Sequence, residues 1–193
     1  MLEMILGGLL IAFVIIVILA VIWLVATYNS LVGLEKQAEN AWSQIDIQLK
    51  RRADLIPNLV STVKGYAKFE NKVLAEVTNA RAAMLQAKTP AEAAKGENML
   101  SGALKSIFAV AEAYPTLKAN ANFQALQEEL SSTENKIAFA RQFYNDMVMR
   151  WNTMILKFPT NVAAKMFGKV EKEFFEAHET EKKNVKVDFS DLS

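Results

Sequence analysis

A run of twenty-three residues, Met4 to Ala26, contains no charged residue, no side-chain amide and no proline. A helix rising ~1.5 Å per residue needs roughly 20 such residues to cross a ~30 Å hydrocarbon layer, and it satisfies its backbone polar groups within one segment. The run therefore predicts a membrane anchor, with Met4, Ile5, Leu10, Phe13, Ile16, Leu19, Trp23 and Ala26 in contact with lipid. A retained anchor is expected rather than a cleaved signal peptide. The start Met1-Leu2-Glu3 carries no basic residue, the run exceeds the ~7–15 apolar residues of a signal peptide, and Ala26-Thr27-Tyr28 is a poor small-x-small exit.

Lysine and arginine near a span resist transfer across the membrane. None precedes the run, whereas Lys36, Lys50, Arg51 and Arg52 follow it. A single-pass topology is predicted, with the first residues outside and the body cytoplasmic. The absence of cysteine excludes disulfides and thiolate metal sites without identifying the compartment. Twenty-two basic against 21 acidic residues argue against a nucleic-acid surface, which needs a basic excess.

Only seven glycines and four prolines occur, in a helix-rich composition. Beyond the anchor, Leu31, Leu34, Ala38, Ala41, Ile45 and Leu49 recur at spacings of three and four, one face of a helix with a coiled-coil-like seam. No breaker separates Ala26 from Leu31, so the anchor is expected to run on as a stiff stalk. At Ala53-Asp54-Leu55-Ile56-Pro57 a tight turn is expected, because proline lacks a donor and clashes with the carbonyl four residues earlier. Asp54 would cap a second helix from about Leu55 to Ala87. Thr89-Pro90 opens a third, about Ala91 to Ala113, and Tyr114-Pro115 closes it. A fourth runs from Asn120 or Asn122 to about Leu156, and a shorter one from Asn161 toward Phe175.

The predicted fold is all-α: an N-terminal transmembrane helix continuing into an antiparallel up-and-down four-helix bundle, with a short extra helix and an extended C-terminal tail. The domains are residues 1–27 as anchor, 28–175 as bundle and 176–193 as charged tail. The tail ends in Val185-x-Val187-x-Phe189, a strand-like alternation.

From Tyr28 onward the chain resembles the LemA family of bacterial membrane proteins. The resemblance is carried by Tyr28-Asn29-x-Leu31-Val32 and by Ala41-Trp42-Ser43-Gln44-Ile45-Asp46-x-Gln48-Leu49-Lys50-Arg51-Arg52-x-Asp54-Leu55-Ile56-Pro57-Asn58-Leu59-Val60. It extends through Ala80-Arg81, Tyr114-Pro115-x-Leu117-Lys118-Ala119-Asn120 and Thr133-Glu134-Asn135-Lys136-Ile137-Ala138 to Ala140-Arg141 and Tyr144-Asn145. It implies a transmembrane helix with a cytoplasmic four-helix bundle in the bacterial inner membrane, and no established enzymatic activity. Some relatives are encoded near membrane-bound zinc proteases, which makes such a protease a candidate partner.

The residues offer little catalytic chemistry. His178 is the only histidine, so Ser-His-Asp, Cys-His and Glu-x-x-His di-iron arrangements are unavailable. Gly7-Gly8 lies inside the anchor and is no phosphate loop. No catalytic residue, metal site or cofactor is expected. Lys50-Arg51-Arg52 would stand about 39 Å beyond Ala26 on a straight stalk at ~1.5 Å per residue, beyond the ~8–10 Å reach of anionic lipid.

Arg52, on the apolar face, must be paired. Trp42, Asp46, Lys50, Arg51, Arg52, Asp54, Arg81, Glu134 and Arg141 form the candidate polar network, read either as a lock on helix register or as a docking site for a partner. Trp42 lies off the seam, so it widens the core or covers a neighbouring subunit. The Met residues at 147, 149, 154 and 166 are expected to fill gaps in the core.

The function expected is a membrane-anchored scaffold or adaptor that binds protein partners or copies of itself, with lipid contacted through the N-terminal helix and no nucleic acid bound. The alternatives are a regulator of membrane proteolysis and a membrane-shaping protein, for which Val162 to Phe175, with Met166, Phe167, Val170 and Phe174, is the candidate lipid-facing segment.

Overall fold

The computed structural model describes residues 1–65 and 71–175, apart from the side chain of residue 3. Tyr66, His178 and the strand-like tail pattern lie outside the described residues. Those residues form an all-α protein of six helices: α1 (Leu2–Lys64), α2 (Asn71–Gln86), α3 (Pro90–Ala111), α4 (Pro115–Lys118), α5 (Ala121–Leu156) and α6 (Thr160–Met166).

α1 is one helix of 63 residues, and the turn expected at Ala53–Pro57 does not form. Pro57 sits inside the helix, and Asp54 is an exposed mid-helix residue rather than a cap. Proline leaves the carbonyl four residues earlier without its helical donor. That carbonyl belongs to Ala53, and it accepts from Arg81 Nε at 2.8 Å. The lost bond is replaced from α2, and Ile56, Leu59 and Val63 stay buried on the face that carries Ile45 and Leu49. The second helix accordingly begins at Asn71 instead of Leu55.

Local signals hold at the later boundaries. Thr89 caps α3 by accepting from Glu92 N at 3.2 Å, while Glu92 Oε2 accepts from Lys88 N at 2.8 Å. Asn120 caps α5 by accepting from Phe123 N at 3.1 Å. The helix expected from Asn161 to Phe175 is shorter and stops at Met166. Gly168, at φ 63°, takes the left-handed conformation that glycine adopts at no steric cost. Lys169 N then reaches Ala164 O at 2.9 Å and Gly168 N reaches Lys165 O at 3.2 Å, a Schellman ending.

Two compact units result. The first comprises Met1–Ala41 and Phe143–Lys172. Its core is Leu31, Trp151, Ile155 and Ala164, flanked by Leu34 and Met154. The Tyr28 and Phe167 rings meet at 4.7 Å between centroids. Asn152 holds the extended segment after α6 from both sides: its Nδ2 donates to Lys172 O at 3.0 Å and its Oδ1 accepts from Lys172 N at 2.9 Å. Trp151 Nε1 donates to Val170 O at 2.8 Å, and Lys169 pairs with Glu35 at 2.6 Å.

The apolar start of α1 passes through no core. It is long and apolar enough to cross a membrane, and the other described residues leave it uncovered. Met4, Ile5, Leu10, Phe13, Ile16, Leu19, Trp23 and Ala26 are all exposed. A helix that is apolar on every side and uncovered by protein matches a lipid environment.

The second unit comprises Trp42–Gln142 with the described residues from Glu173 to Phe175. The end of α1, with α2, α3 and most of α5, supplies four helical segments, compatible with the expected bundle. α2 and α3 approach closely at Gly96, where an added Cβ would lie 2.6 Å from Met84 Cα. Phe108 meets Phe123 edge-on at 6.1 Å. Of the four methionines expected inside, Met147 is buried and Met154 half-buried, but Met149 and Met166 are exposed.

Candidate functional site

The second unit encloses a charged cluster. Arg52 follows Leu49 on the inward stripe of α1 and is 1 % exposed. A guanidinium so placed needs carboxylates, since an unpaired buried charge costs several kcal/mol. Glu97 of α3 and Glu134 of α5 provide them. Arg52 donates to Glu97 Oε1, and its second terminal nitrogen donates to Glu134 Oε2 at 3.2 Å. Ser101, one turn beyond Glu97, donates to Glu97 Oε1 at 3.0 Å. Glu97 is itself buried, whereas the Glu134 side chain is 49 % exposed. One ion pair is therefore dry and the other stands at the cluster's rim. Three helices meet at a single guanidinium, whose planar fork engages a carboxylate with each of its two terminal nitrogens.

The remaining predicted residues are distributed around this cluster. Arg81 serves the Ala53 carbonyl. Asp46 and Lys50 pair with each other at 2.5 Å on the surface of α1, and Arg51 pairs with Glu129 at 2.5 Å. These pairs are substantially solvated, so each contributes little, about 0–1 kcal/mol. Asp54 is exposed, and Arg141 is half-buried on α5. The Trp42 ring lies 6.2 Å from that of Phe175, which is fully buried. Trp42 thus faces a later segment of its own chain.

Glu97 and Ser101 are absent from the sequence-based set, although a signal for them exists. Ala93, Ala94, Leu100, Leu104 and Ile107 mark the buried stripe of α3, and Glu97 and Ser101 fall on it at helical spacing. A carboxylate on an apolar stripe carries the same information as Arg52 does on α1.

No group of three or more His, Cys, Asp or Glu able to hold a metal occurs among the described residues. An open cleft of about 470 Å³ lies between the end of α1 and the start of α5, lined by Asn58, Ser61, Thr62, Asn122, Ala125 and Leu126. Its walls carry amides and hydroxyls but no ionisable group, a lining suited to hydrogen bonding.

The LemA family model matches residues 41–189, which include Arg52, Arg81, Glu97 and Glu134. The chain is 30 % identical over 168 residues to Protein LemA of Metamycoplasma hominis, covering 85 % of this chain and 74 % of that protein. It is 24 % identical over 195 residues to Magnetosome protein MamQ 2 of Paramagnetospirillum magneticum, covering 86 % and 72 % of the two chains. Magnetosome protein MamQ of Magnetospirillum gryphiswaldense is 23 % identical over 178 residues, covering 79 % and 65 %. With an uncovered apolar helix at one end and a matched helical body built around Arg52, this chain is a membrane-associated member of the LemA family.

Proposed function

We propose that the protein is a membrane-anchored helical scaffold that presents its body at the cytoplasmic membrane face and binds protein partners or copies of itself there, without catalysing a reaction. The observation that carries this reading is the continuity of α1, in which one helix holds both the lipid-compatible run and Arg52. Two nitrogens of Arg52 tie α1 to α3 and α5, a use that maintains shape. The residues flanking the span support a cytoplasmic body, since the basic side chains lie on its C-terminal side.

The test is crosslinking in native membranes followed by identification of the adducts. Discrete adducts between copies, or with a defined membrane protein such as a zinc protease, are expected. A species that stays monomeric under gentle solubilisation and gives no specific adduct sinks the reading. Protease accessibility of the C-terminal tail in intact cells and in inverted vesicles checks the orientation, with cleavage expected only in the vesicles.

A further inference from the structure

The first unit exposes apolar side chains where they would be costly in water. Phe158, in the turn between α5 and α6, is 77 % exposed, and Val162 and Met166, one turn apart on α6, are 51 % and 64 % exposed. The opposite side of α6 is properly buried through Ala163 and Ala164. The short helix is therefore apolar on both sides, and only one of them is covered by the described residues.

Two further observations indicate what covers the other side. The first is position. Phe167, directly after α6, meets the Tyr28 ring in a tilted contact, and Ala164 shares a core with Leu31. Tyr28 lies two residues beyond the uncharged run, about 3 Å along the helix axis at ~1.5 Å per residue. The headgroup layer on each side of a bilayer is roughly 5–7 Å deep, so the contact falls inside it. The second is charge. From Met147 to Val170 there is no aspartate or glutamate, while Arg150, Lys157, Lys165 and Lys169 occur. Lys169 is engaged with Glu35, whereas Lys157 and Lys165 are exposed beside the apolar residues. Apolar side chains flanked by lysines, without acidic neighbours, are the composition of an interfacial segment on anionic lipid.

We propose that the α5–α6 turn and the outer face of α6 form a second membrane contact. Phe158, Val162 and Met166 rest at the headgroup–acyl boundary of the bilayer crossed by α1, and Lys157 and Lys165 meet anionic headgroups. The contact gives the body a fixed seat on the membrane in addition to its tether. The lipid-facing set differs from the one expected from sequence: Phe167 and Phe175 turn toward the chain itself, and Phe158 joins the exposed residues.

The chain has no cysteine, so single labels are unambiguous. Full-length Leu10→Cys, Phe158→Cys, Met166→Cys and Ile47→Cys, each carrying an environment-sensitive fluorophore, are reconstituted into nanodiscs of mixed phosphatidylcholine and phosphatidylglycerol. Spin-labelled lipids are then added with the quencher either shallow or deep. Leu10→Cys should be quenched by the deep label and Ile47→Cys by neither. Phe158→Cys and Met166→Cys should be quenched by the shallow label by roughly twofold or more over Ile47→Cys, and less so in pure phosphatidylcholine. Quenching of Leu10→Cys without quenching at 158 or 166 overturns the proposal and leaves the anchor standing. Loss of quenching at Leu10→Cys removes the anchor and the proposal together. Shielding at 158 that appears only when two copies share a disc assigns the face to a second chain and also overturns it.

Discussion

Arg81 Nε donates to the Ala53 carbonyl at 2.8 Å, and Ala53 stands four residues before Pro57. A side chain from α2 thus occupies the bond that proline denies to α1. The helix passes through a residue that usually ends one because the vacated acceptor is satisfied by a charged donor.

Arg81→Ala should orphan that carbonyl and cost about 1–3 kcal/mol. In a Pro57→Ala background the restored amide can bond to Ala53, so the same change should cost at least ~1 kcal/mol less. Urea unfolding in detergent micelles, followed by circular dichroism, measures the cycle. Equal costs in both backgrounds would show that the two residues are not coupled.

Replacing Arg52 should expose the weakness of a buried charge left alone. Arg52→Met strands Glu97 and is expected to cost about 3–5 kcal/mol, while Arg52→Met with Glu97→Met should recover most of that loss. Glu134→Gln acts at the solvated rim and should cost under ~1 kcal/mol. A double variant no more stable than Arg52→Met alone contradicts the buried pairing.

The two glycines of α3 should respond with opposite signs. At Gly96 a Cβ would meet Met84 backbone atoms at 2.6 and 2.7 Å, so Gly96→Ala must push α2 and α3 apart and should cost about 1–3 kcal/mol. At Gly102 nothing lies within 4 Å, so Gly102→Ala should stabilise by up to about 1 kcal/mol through helix propensity. Melting temperatures of the two variants decide, and a shared sign would refute the close approach.

Asn152 replaces one residue of a strand ladder with a side-chain amide. Asn152→Ala removes both bonds to Lys172 and should release the segment after Gly168 while α5 stays helical. Hydrogen exchange at Lys172 is expected to accelerate by about tenfold or more, corresponding to ~1.4 kcal/mol of lost protection. Unchanged exchange there would show that the Asn152 bonds do not hold the segment.

On the exposed surface of α1, the hydrogen bond from the Lys36 ammonium holds the Glu39 carboxyl below the usual carboxylate range and raises Lys36 above the usual lysine value. A depressed carboxylate favours the folded state above its unfolded pKa and loses that contribution as pH falls through its folded pKa. The pair is open to solvent, so the pH dependence should appear in the titration of Glu39 and not in global stability. In Lys36→Ala the pH midpoint of the Glu39 carboxyl carbon-13 shift should rise toward the ordinary carboxylate range.

Much of the fold was legible because its signals are local or periodic. The anchor needs only a run of uncharged residues, the stripe from Leu31 to Leu49 needs only helical spacing, and the Thr89 and Asn120 caps act within three residues. The α6 boundary was missed because the Gly168 stop depends on one glycine among residues that otherwise read as helix. The continuation through Pro57 was missed for another reason: its compensation comes from a residue twenty-four positions further along the chain.

The amino-acid sequence alone determined that the chain is helical, that it carries an apolar helix fit for lipid, and that Arg52 had to find a counter-charge. The choice of Glu97 over nearer acidic residues, the repair of α1 by Arg81 and the exposure of Phe158 were decided by tertiary structure. The physical reason is that periodicity tells a side chain which way to face. What it meets there depends on how separate helices are brought together, and that is a long-range outcome of packing.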